Sequence, residues 1–159
     1  VSGLFSDEYL YNEIRKALKD TENSYEIAVG VDSQIYGRFF TFVSVLCIWK
    51  KGHGGLYFFK NENSDKAKIY HNNQKMRMFD EATKALDFAR NIEDNTGLKP
   101  IVHLDVSPKE NRQFTSEFSD KLSGYVIASG YECEIKPFSY VAASVADRHT
   151  KKYHRKRKK

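Results

Sequence analysis

Residues 25–34 read YEIAVGVDSQ, and the alternation in this stretch decides the fold. Tyr25, Ile27, Val29 and Val31 fall on one face of a strand, with Glu26, Ala28, Gly30 and Asp32 on the other. Two more strand-like runs follow. Residues 38–49, RFFTFVSVLCIW, are β-branched and aromatic and should be covered on both faces. Residues 55–60, GLYFFK, come after the turn KGHGG. Tyr36 and Gly37 fall in the first turn. Connections this short predict an antiparallel meander.

Working outward, Ser6 is placed to cap a helix over 7–19, with Asp7 and Glu8 at its positive end and Leu10, Ile14, Ala17 and Leu18 at helical spacing. On the other side, NENSDKAKIYHNN at 61–73 reads as a loop. A long helix is predicted over about 73–94, with Met78, Phe79, Ala82, Ala85, Leu86, Ala89 and Ile92 on its apolar face and Gly97 closing it. Residues 100–105, PIVHLD, predict a fourth strand, and about 114–123 a further helix with Gly124 near its end. GYECEIK at 130–136 predicts a fifth strand that Pro137 stops, and Ser139 can cap a last helix to about residue 150. A meander followed by two strand–helix units predicts an α/β fold: a mixed five-stranded sheet with helices on both faces.

The chain has 159 residues, enough for one domain, read here as residues 1–150 with an extra N-terminal helix, followed by a tail at 151–159. Hydrophobic residues make up 40% and charged residues 30%, a globular balance rather than a disordered one. No run approaches eighteen apolar residues, so a helical membrane span is excluded. The opening VSGLFSDEYL lacks the basic start and apolar run of a signal peptide. Cys47 and Cys133 form no CxxC pair, so neither a disulfide framework nor a zinc site is expected, and the expected compartment is the cytoplasm. The net charge of +5 is concentrated in KKYHRKRKK, which holds seven Lys or Arg. Residues 1–150 carry 19 bases against 21 acids, a net charge of −2. The tail suits salt-sensitive contacts with nucleic acid or an anionic surface, or a solvated terminus.

Four carboxylates stand where packing does not ask for them. Asp32 shares its face with the small Ala28 and Gly30, Asp105 ends the apolar PIVHL, and Asp147 sits after VAASVA. Glu81 falls within the apolar arc of its helix, whereas Asp80 is expected to face solvent. Carboxylates brought together repel one another and raise their pKa values. A divalent cation reverses that sign: Mg²⁺ or Mn²⁺ prefers oxygen ligands, and two ions about 4 Å apart activate water and stabilise a leaving oxygen. Acids at strand ends also occur for purely structural reasons.

The segments GVDSQ, HLDVSP with Asn111, GYECEIKP and ASVADRHTKK resemble an uncharacterised bacterial family, the domain of unknown function 458, assigned to the ribonuclease-H-like superfamily. The resemblance covers nearly the whole chain. It implies a mixed sheet in strand order 3-2-1-4-5, one or two Mg²⁺ or Mn²⁺ ions, and a nucleic-acid substrate. Residue by residue, Asp32 matches the first-strand acid, Glu81 the helix acid, Asp105 the fourth-strand acid and Asp147 the C-terminal acid. These are the expected catalytic and metal-holding residues.

Around them, Ser33 and Gln34 can contact a phosphate or simply begin a turn. Lys109, Asn111 and Arg112 follow Asp105 and are placed to touch a backbone phosphate, and Lys136 can pair with a carboxylate or a phosphate. Arg148 and His149 follow Asp147; Arg148 is a candidate substrate contact, and His149 can shuttle a proton to a leaving oxygen or lie on the surface. His103 shares a face with Asp105 and reads as a core or cleft residue. Phe39, Phe40, Phe42 and Trp49 read as core. The expected function is a metal-dependent phosphodiester hydrolase acting on nucleic acid. Two alternatives are a non-catalytic nucleic-acid-binding or assembly module, which the net charge of residues 1–150 favours, and a hydrolase of a small phosphorylated substrate.

Overall fold

The structure, a computed structural model, describes residues 6–36, 39–64, 67–108 and 116–142. The meander is present as β1 (Tyr25–Tyr36), β2 (Phe39–Lys50) and β3 (Gly54–Ser64), paired antiparallel along their lengths. β4 (Ile101–His103) lies parallel to β1, and β5 (Cys133–Glu134) parallel to β4. The sheet order is β3-β2-β1-β4-β5, as the resemblance implies. Short as β5 is, Val102 N donates to Glu132 O, Leu104 N to Glu134 O and Lys136 N to Val106 O, so the two chains run side by side from 132 to 136.

Four helices complete the described chain: α1 (Asp7–Lys19), α2 (Ala67–His71), α3 (Gln74–Thr96) and α4 (Ser116–Ala128). Ser6 Oγ accepts from Tyr9 N and caps α1; Asn73 caps α3, and Gly97, in the left-handed conformation at φ 75°, ends it. α4 passes through Gly124, where an added Cβ would meet nothing within 4 Å.

One face of the sheet carries the larger core. Ile27, Val29 and Val31 of β1 and Phe40, Phe42, Leu46 and Ile48 of β2 pack with Ile14 of α1, Ala82, Ala85, Leu86, Ala89 and Ile92 of α3, and Leu122 and Val126 of α4. The opposite face carries a smaller cluster of Ala28, Val43, Val45 and Val141. There the chain at Ala142 crosses β1 so closely that a Cβ on Gly30 would stand 2.7 Å from Ala142 N. The small residues flanking Asp32 on its face therefore admit a backbone.

Several expectations are corrected. Within the polar stretch at 61–73, expected as a loop, NENS instead continues β3 and AKIYH forms α2. Residues 61–64 pair with Phe40–Val43 at the start of β2, a largely apolar strand that needs a ladder partner there, which outweighs their polarity; Asn63 also accepts from Thr41 Oγ1 at 2.9 Å. Leu18 is 47% exposed, and Tyr11 is buried instead. Phe79 is 43% exposed and stacks on Tyr125 at 5.1 Å rather than entering the core. Asp80 is half-buried and accepts from Tyr70 OH, because α2 lays that tyrosine over the start of α3. Trp49 is exposed at the rim, whereas Phe40 and Phe42 are core as expected. Beyond Ala142, the last predicted helix lies outside the described residues.

Candidate metal and phosphate site

The strand order reverses between β1 and β4, and in open α/β sheets the crevice at such a switch point, beyond the strands' carboxyl ends, is where ligands bind. β4 stops at His103 opposite Gly30, while β1 continues past it. Asp32 and Asp105 lie just beyond that last pairing. His103 shares the Gly30 face, so the alternation that gives Asp32 to this face gives Asp105 to it as well. Both carboxylates are half-buried.

Glu81 comes to the same end of the sheet from the α3 side. Ser33, buried on the face opposite Asp32, donates its hydroxyl to Glu81 Oε1. Arg77, one helical turn earlier, places Nε 3.8 Å from the same oxygen. The Glu81 carboxyl is pushed up to about 8, chiefly by burial and secondarily by the charges of Asp32 and Asp105, against the Ser33 hydrogen bond and Arg77, which lower it. The charges of Asp32 and Asp105 thus reach Glu81 across the end of the sheet.

Lys136 Nζ lies 2.8 Å from Asp105 Oδ1. That oxygen is buried and accepts no hydrogen bond, so the contact is an ion pair without hydrogen-bond alignment. Gln34 Oε1, near Asp32, is another buried acceptor without a hydrogen-bond partner. Behind the site His103 is buried, and its Nδ1 accepts from Val141 N at 3.3 Å, which requires the neutral tautomer with the proton on Nε2. Burial lowers its pKa to about 4. His103 is therefore a core residue that fixes the start of the C-terminal segment.

Asp32, Glu81, Asp105 and Lys136 lie at one end of the sheet, where Ser33 meets Glu81 and Lys136 meets Asp105. Ser33 donates its hydroxyl to Glu81, on the face of β1 opposite Asp32. Lys109, Asn111, Arg112, Asp147, Arg148, His149 and the basic tail lie outside the described residues. Arg77 was not anticipated; its signal was present as an Arg–Glu pair four residues apart on one helix.

The donor set suits a hard divalent cation, since it consists of carboxylate oxygens, one of them buried without a hydrogen bond. Among the described residues no three His, Cys, Asp or Glu side chains stand close enough to hold an ion by themselves. Asp32, Asp105 and Glu81 fit such an ion in chemistry.

A family model described as "Ribonuclease H-like" matches residues 9–151. The chain belongs to the ribonuclease H-like family. It is similar to the "Uncharacterized protein YkuK" of Bacillus subtilis (strain 168), with 30% identity over 147 residues, covering 84% of this chain and 83% of the relative. Among solved structures it is similar to the N-terminal RNase H domain of Rv2228c from Mycobacterium tuberculosis, solved as a fusion with maltose binding protein. That match has a TM-score of 0.38 and 13% identity, and covers 84% of this chain and 99% of the other. Among the described residues no helix is long and apolar enough to cross a membrane.

Proposed function

We propose that this protein is a metal-dependent phosphodiester hydrolase acting on nucleic acid, and that within its superfamily it belongs to the domain of unknown function 458. The observation that carries the reading is Glu81: a carboxyl raised first by burial and then by two neighbouring carboxylates, and held by Ser33, at the switch point of the sheet. Such mutual repulsion is costly unless a cation relieves it.

In this reading Asp32 and Asp105 hold one or two Mg²⁺ or Mn²⁺ ions, and Glu81 and Asp147 complete their shells. When bound, such ions neutralise the phosphate and favour in-line attack by water. The protein's own side chains do the rest. Ser33 and Arg77 fix the rotamer of Glu81. Lys136, Gln34, Lys109, Asn111, Arg112 and Arg148 orient the substrate, and His149 delivers a proton to the departing 3′ oxygen. The products carry 5′ phosphate and 3′ hydroxyl ends. The tail at 151–159 adds binding strength without sequence preference. The two cysteines, both free, are compatible with a cytoplasmic setting.

Calorimetry with Mn²⁺ and cleavage of a labelled nucleic-acid panel test the reading together. Binding that Asp105→Asn weakens, alongside metal-dependent cutting, is the expected result; a folded protein that neither takes Mn²⁺ nor cuts any member contradicts it. The second reading, a non-catalytic nucleic-acid-binding module, is favoured by the net charge of −2 over residues 1–150, and it predicts binding of the panel without cleavage.

A further inference from the structure

Lys136 is held in place by more than its charge. Its backbone N–H donates to Val106 O at 3.0 Å, extending the parallel pairing of β5 with β4 past both strands' assigned ends. The register that sets Glu134 beside His103 sets Lys136 beside Asp105, two residues further along each chain. Immediately afterwards Phe138 N and Ser139 N both donate to Ile135 O, turning the chain towards Val141 and His103. The ammonium therefore starts from a fixed backbone position next to the carboxylate, and its Nζ rests 2.8 Å from Oδ1.

Asp105 Oδ1 accepts no hydrogen bond, so its contact with Lys136 is an ion pair alone. A pair of this kind is readily exchanged: Lys136 is 41% exposed and its stem is flexible, so leaving the carboxylate costs little. A divalent ion approaching Asp105 meets a positive charge already in place.

We infer that Lys136 is an internal competitor for the divalent cation at Asp105, which the ion displaces on binding. The inference rests on the metal-site reading above and adds that the site's affinity is set down by a lysine of the chain itself. Because the ammonium and the ion claim the same oxygen, removing the lysine head strengthens metal binding. A lysine that only supported the structure would have no such effect.

The test is calorimetric titration of the full chain with Mn²⁺, comparing the parent with Lys136→Met, Lys136→Gln and Lys136→Arg, each checked for parental circular dichroism. Lys84→Met serves as the control, since Lys84 pairs with Glu62 elsewhere at 2.6 Å. The expected result is Mn²⁺ affinity about two- to fivefold tighter in Lys136→Met and Lys136→Gln, the scale of a part-exposed ion pair, with Lys136→Arg and Lys84→Met near the parent. Equal or weaker affinity in Lys136→Met and Lys136→Gln, with parental binding that Asp105→Asn abolishes, overturns the inference and leaves the metal-site reading standing. Absence of Mn²⁺ binding from the parent and both lysine variants overturns both.

Discussion

Ser33 donates its hydroxyl to Glu81 across the boundary between β1 and α3, next in sequence to Asp32, which faces the other way. In the proposed site, adjacent residues of one strand thus act from both faces of the sheet. Asp32 presents a carboxylate directly, whereas Ser33 orients one from the helix.

Because that hydrogen bond favours the ionised form of Glu81, Ser33→Ala should raise a carboxyl pKa that already stands at about 8. Carboxyl carbon NMR of the parent and the variant, without divalent ions, reads the change. An upward move of the Glu81 midpoint is expected, and an unchanged or lower midpoint contradicts the role given to Ser33.

The same elevation predicts a pH dependence of stability. Glu81 has a folded pKa of about 8, above its ordinary value of 4.5, so the folded state holds the proton more tightly. Its contribution is full below pH 4.5 and is lost as pH rises to about 8. His103 acts oppositely: with its pKa lowered from 6.5 to about 4, stability is lost as pH falls through that window. Between pH 6.5 and 8 only the Glu81 effect operates of the two. Chelated protein should lose stability there, on the order of a few kcal/mol, and Glu81→Gln should flatten the slope. Urea unfolding across pH 6–8.5 measures it; equal slopes in parent and variant contradict the assignment.

Gly30 and Gly124 give a matched pair of substitutions. At Gly30 an added Cβ would press on the Ala142 backbone at 2.7–2.9 Å, so Gly30→Ala should destabilise by about 1–3 kcal/mol. At Gly124, inside α4 with open space beside it, alanine should stabilise by about 0.5–1 kcal/mol. Denaturant midpoints of the two variants should move in opposite directions. A neutral Gly30→Ala would mean that residues 140–142 do not hold the close packing on β1 described above.

Much of the fold was legible because hydrophobic period and caps agree locally: the alternation of 25–34, the Ser6 cap and the Gly97 stop all lie where the residues indicate. Legibility failed where a partner element overrode local character. Residues 61–64 are polar, yet they pair with β2 because that strand needs a neighbour; Asp80 is engaged because α2 brings Tyr70 to it. At the site, Asp32 and Asp105 were readable as acids interrupting apolar strands, and Glu81 from helical phase. The commitment of Ser33 to Glu81 was not readable, because it depends on how α3 crosses the sheet. The pairing of Lys136 with Asp105 was open to reading only as one of two choices, since the parallel register that decides it joins segments about thirty residues apart.

The central claim is tested most directly by cleavage of a labelled panel of single- and double-stranded DNA and RNA, a hybrid and a branched duplex, with Mg²⁺ or Mn²⁺, by the parent and by Asp32→Asn. Cutting by the parent that stops on chelation, and that a folded Asp32→Asn protein loses almost entirely, is the predicted result. Equal cutting by the two proteins, or no cutting of any member by folded, metal-supplied parent, would contradict the claim.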